Sequence, residues 1–117
     1  MNSNLNPKIG SVEVADEVFL TIAGLAATEV KGVYALGRKL THDMVPVAGI
    51  KTLSKCIKIV SEKDESAISI KVALTVDGSV ALPKISEDVS SRVKSAIEAM
   101  TGMKVVKTDI QIVGVAE

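Results

Sequence analysis

The chain has 117 residues, 47% hydrophobic and 24% charged, with 14 basic and 14 acidic side chains. That suits one globular domain; it excludes a disordered chain, and a general phosphate-binding surface would carry a basic excess. Aromatic residues are only 2%, which argues against base-stacking platforms, and the single cysteine excludes an internal disulfide.

Residues 1–7 are polar and end in Pro7, which predicts a flexible tail before a single domain over residues 8–117. They lack the charged and apolar regions of a secretion signal. The longest uncharged apolar stretch, Val18 to Thr28, is too short to span a membrane. The expectation is a cytoplasmic protein without direct membrane insertion, any membrane association depending on something else.

Val12 and Val14 alternate with Ser11 and Glu13 as in a strand. From Ala15 the period becomes helical, through Val18, Ile22, Leu25, Ala26 and Val30. Asp16 and Glu17 suit the positive end of its dipole, and Gly32 can stop it. Ala23, Gly24 and Ala27 make one face of this helix small-sided. Such a face serves close packing within the chain or a self-association seam.

Gly32 to Gly37 predicts a short second strand. Residues 37–55 show no period, contain Pro46 and Gly49, and read as a long irregular loop. Cys56 to Val60 and Ala67 to Val76 predict paired strands. In the second, Ile68, Ile70, Val72, Leu74 and Val76 share one face, while Ser69, Lys71 and Thr75 share the other. Pro83 opens the clearest helix, with Ile85, Val89, Val93, Ala96, Ile97 and Met100 on one stripe and a stop at Thr101-Gly102. In the last strand Val106, Thr108, Ile110 and Ile112 face one way, and Lys107, Asp109 and Gln111 the other. The expectation is an α+β fold, a mostly antiparallel sheet with two helices on one face in the order β-α-β-β-β-α-β.

Chemistry-bearing motifs are scarce. There is no Walker loop, no G-x-G-x-x-G and no G-x-x-G clamp. Cys56 at the start of a strand reads as a small buried hydrophobe, and His42 beside Asp43 as a loop histidine. The pairs Asp16-Glu17 and Glu87-Asp88 fall at helix starts, and Asp64-Glu65 in a turn. No catalytic residue, metal site or cofactor is expected. Between Gly37 and Val60, Arg38, Lys39, Lys51, Lys55 and Lys58 stand against Asp43 alone, a net charge of +4. Such a stretch could meet an acidic partner surface or anionic headgroups.

The segment GSVEVADEVFLTIAGLAATEVKGVYAL resembles the opening of the alkaline-shock protein family, the envelope stress response family of Gram-positive bacteria. The similarity lies in Ile22, Ala23, Gly24, Ala26, Ala27, Glu29, Val30, Gly32 and Val33. It continues in the closing helix and strand through Val89, Val93, Ile97, Met100, Thr101, Gly102, Val105, Val113 and Gly114. Asp16 stands where the family often has Pro, and the connection before Cys56 is longer than usual. The resemblance implies a non-enzymatic cytoplasmic protein linked to envelope or alkaline stress. It further implies a self-associating scaffold or adaptor, a homo-oligomer gathered at the inner face of the membrane by protein partners, including a small membrane-anchored protein. Relatives tied to acetyl-CoA carboxylase supply the alternative, a regulator that binds a metabolic enzyme. No nucleic-acid partner is implied.

Overall fold

The computed structural model describes residues 12–14 (backbone only), 17–63 and 66–116. The expected tail over residues 1–7, Asp16 and the Asp64-Glu65 turn lie outside them. The elements are β1 (Val12–Val14), α1 (Glu17–Thr28), β2 (Val33–Leu36), a 3₁₀ segment (His42–Val47), α2 (Ile50–Cys56), β3 (Ile57–Ser61), β4 (Ala67–Val76), α3 (Leu82–Thr101) and β5 (Lys104–Val115).

The sheet is organised around β4. Its residues 68–72 pair antiparallel with β3, and its residues 74–76 pair antiparallel with β2. The whole strand pairs with β5 in parallel. A strand has two edges, so β3 and β2 lie end to end along one and β5 takes the other. β1 pairs antiparallel with the far side of β3. Parallel neighbours need a crossover, and α3 supplies it between β4 and β5.

Period-2 alternation makes one face of β4 fully aliphatic, and Ile68, Ile70, Val72, Leu74 and Val76 are all buried. α3 covers this face with Ile85, Val89, Val93 and Ile97, which recur every four residues and are each 0% exposed. Pro83 lies in its first turn, where a missing N–H costs nothing, and Gly102 closes it with a φ of 77°. The Val105 N–H then donates to the Glu98 carboxylate at 2.9 Å, tying the start of β5 back to the helix. α1 lies beside α3, and Arg92 reaches Glu29 between them at 3.1 Å.

Four expectations change. Residues 37–55 are not an irregular loop: they hold the 3₁₀ segment and α2, anchored in the core by Val45 and Leu53, both 0% exposed. Two anchors on such short elements are too few to print a period. Cys56 ends α2, and the strand starts at Ile57. Val105, not Val106, is the buried residue at the start of β5, because the register slips between Ile68/Val105 and Ser69/Lys107 and leaves Val106 out. α1 itself stops at Thr28, short of Gly32, which occupies the following turn with a φ of 99°.

Candidate functional site

The small-sided stripe of α1 has its own occupants within the chain. Ala23 and Ala27 are both 0% exposed. At Gly24 an added Cβ would stand 2.9 Å from Val45 Cγ1 and 3.3 Å from Leu36 Cδ2. The missing side chain thus admits the 3₁₀ segment and the end of β2 against the helix backbone.

His42 belongs to the same junction. Its Nδ1 lies 2.8 Å from the Thr28 hydroxyl, which also donates to the Gly24 carbonyl at 2.7 Å. The ring ties the 3₁₀ segment to the end of α1. The neighbouring Asp43 carboxyl is held below its ordinary pKa, first by the Thr41 hydroxyl that donates to it at 2.7 Å and next by backbone hydrogen bonding. Cys56 is half-buried, and burial pushes its thiol pKa up against the weaker opposing pull of Lys55. A thiol so placed is a poor nucleophile at neutral pH. Among the described residues no group of three or more His, Cys, Asp and Glu is arranged to hold a metal ion.

The five cations grouped by sequence do not form one patch. Lys51 and Lys55 lie one turn apart on exposed α2. Arg38 and Lys39 occupy the turn after β2, with the Arg38 guanidinium near Gly114 of β5. Lys58 is on β3, on the sheet face away from the helices. There it is directly opposite Lys71 of β4, and Lys71 is opposite Asp109 of β5. In an adjacent row Val60, Ser69 and Lys107 follow one another across the same three strands.

These two rows line a shallow depression of about 410 Å³. Ser69 donates to the Glu62 carboxylate at its margin. Like charges directly opposite across an antiparallel pair destabilise it, so local sheet stability does not account for Lys58 facing Lys71. A second depression of about 380 Å³, lined by Tyr34, Arg38, Thr75 and Gly114, lies toward the other end of the strands. Lys71 and Lys107 were absent from the sequence-derived cluster. The signal was their place on the wet side of each alternation, but only the register brings them beside Lys58.

Residues 4–117 match the alkaline shock protein 23 family, described as having a cell envelope-related function. The chain belongs to this family. It is 31% identical over 107 residues to the uncharacterized protein YqhY of Bacillus subtilis, covering 92% of this chain and 78% of that one. It is 27% identical over 107 residues to the uncharacterized protein Spy1535 of Streptococcus pyogenes, covering 92% and 80%. It is 21% identical over 117 residues to the uncharacterized protein YloU of Bacillus subtilis, covering 98% and 96%. No solved structure matches. Among the described residues of this family member, no helix is long and apolar enough to cross a membrane.

Proposed function

We propose that the protein is a non-enzymatic, self-associating scaffold or adaptor in envelope stress, held at the inner face of the membrane by a membrane-anchored protein partner. The observation that carries this reading is the open sheet face. Among the described residues no helix covers one side of the β3-β4-β5 sheet, which presents Lys58, Lys71 and Lys107 around one depression. Such a surface suits an acidic partner. The cell envelope-related function of the family supports the setting.

The test is affinity capture of the tagged chain from native-host lysate, with membrane and soluble fractions kept apart. The expected result is a small membrane protein recovered from the membrane fraction, and lost on changing Lys58, Lys71 and Lys107 to Glu. Recovery unaffected by those changes would remove the open face from the account. A second reading, a regulator of a metabolic enzyme such as acetyl-CoA carboxylase, draws support from the exposed Lys51 and Lys55 on α2. It expects the enzyme in the soluble fraction and its loss with Lys51→Glu and Lys55→Glu.

A further inference from the structure

β5 closes the sheet on the side away from β1, and no described strand pairs with its outer edge. An open edge offers a row of backbone donors and acceptors to another chain, and proteins ordinarily keep such edges short, charged or covered. β5 has 12 residues. Its register against β4 is irregular only between Val105 and Lys107 and between Ile112 and Gly114, so the middle of the strand is straight.

That middle is self-complementary in the antiparallel sense. With Thr108 set opposite Thr108 of a second copy, Lys107 faces the second copy's Asp109, and Asp109 faces the second copy's Lys107. Both side chains lie on the open face, as the register partners of Ser69 and Lys71. Oppositely charged cross-strand pairs stabilise a sheet. Moving the two-fold axis to Asp109 or Lys107 sets like charges against each other. Moving it to Ile110 sets Asp109 against Gln111. Among registers that keep both open faces on one side, Thr108 is the centre that matches these charges.

We propose that two copies join through their β5 edges, antiparallel and centred on Thr108, into one continuous sheet. This rests on the self-association proposed above and names its surface. It also gives Asp109, the one β5 carboxylate among the lysines, a place between Lys71 of its own chain and the second copy's Lys107. The contact is isologous and closes at two copies. The open lysine faces of both then lie side by side on one surface.

Sedimentation equilibrium from micromolar to millimolar protein tests it. Lys107→Asp alone, or Asp109→Lys alone, turns two attractions into two repulsions and should weaken the homodimer by about tenfold or more. Mixing the two variants restores both attractions, so a heterodimer should form at wild-type strength. The double variant carrying both changes should again form a homodimer but should not mix with the wild type.

In a Cys56→Ser background, Thr108→Cys should form a disulfide between copies on oxidation. Directly opposite Cα atoms stand about 4.5–5.5 Å apart, within disulfide reach. Gln111→Cys should not. A wild type that dimerises while every charge variant dimerises equally well, with no Thr108→Cys cross-link, would overturn the β5 edge and leave self-association to another surface. A wild type that stays monomeric at millimolar concentration would overturn both.

Discussion

On its helix side β4 presents Ile68, Ile70, Val72, Leu74 and Val76, none more than 2% exposed. On its other side it presents Ser69, Lys71, Ala73 and Thr75, and only the last of these is buried, donating to the Gly37 carbonyl at 2.7 Å. The first face meets two helices whose stripes match it. The second meets the turn after β2 at one end and solvent along the rest. One strand thus carries both the apolar packing of the fold and part of its exposed charge. Binding surface can be altered on one side without touching the packing on the other.

The largest expected effect tests that independence directly. Ile97→Ala removes a side chain 0% exposed, the last of the buried α3 stripe, and should cost about 2–5 kcal/mol in urea unfolding. Lys71→Ala on the opposite face should stay within about 0.5 kcal/mol of wild type. It also relieves a like-charged neighbour, Lys58. If the lysine change cost as much as the isoleucine change, the two faces would not be separable.

Gly24→Ala comes next and probes how tightly the covered side is closed. The new Cβ would stand 2.9 Å from Val45 Cγ1, so the 3₁₀ segment must shift, at about 1–3 kcal/mol. Val45→Ala loses a buried side chain, but combined with Gly24→Ala it should cost less than the two separate losses together. Strict additivity in a denaturant double-mutant cycle would show that the helix and the 3₁₀ segment do not press on one another there.

These two regions were unequally legible in the sequence. The covered face announces itself locally: Ile85, Val89, Val93 and Ile97 keep a helical period, and β4 keeps a strict alternation. Burial follows from either pattern without knowing what packs against it. The same holds for Gly102, whose place after the stripe marks the helix end. The open face depends on register. Lys58, Lys71 and Lys107 stand 13 and 36 residues apart in the chain, and nothing local says that three strands align them. Grouping by sequence instead joined Lys58 to Lys51 and Lys55, which the end of α2 turns onto the helix side. The small-sided face of α1 was legible as a close approach, while its occupant, Val45, lay in a stretch with no period to read.

Cys56 sits where the two sides meet, at the last residue of α2 and the entry to β3, and it gives the smallest effect. Burial holds the folded thiol's pKa above that of the unfolded chain, outweighing the opposing charge of Lys55. The folded state therefore resists losing this proton. Its stabilising contribution is complete below the unfolded value, about 8.5, and is lost as the pH rises from there through the folded value. Urea unfolding at stepped alkaline pH should show the loss, and Cys56→Ser should flatten that part of the curve. Asp43 and Asp77 act at the other end of the scale. Their folded pKa values are lowered, chiefly by the hydroxyls of Thr41 and Ser79 respectively, so what they contribute is present above about 3.9 and lost as the pH falls through the folded values. The cysteine change should leave that acid limb alone. If Cys56→Ser left the alkaline limb as steep as before, the thiol would be as hydrated as in the unfolded chain, and the seam between α2 and β3 would belong with the open side of the sheet.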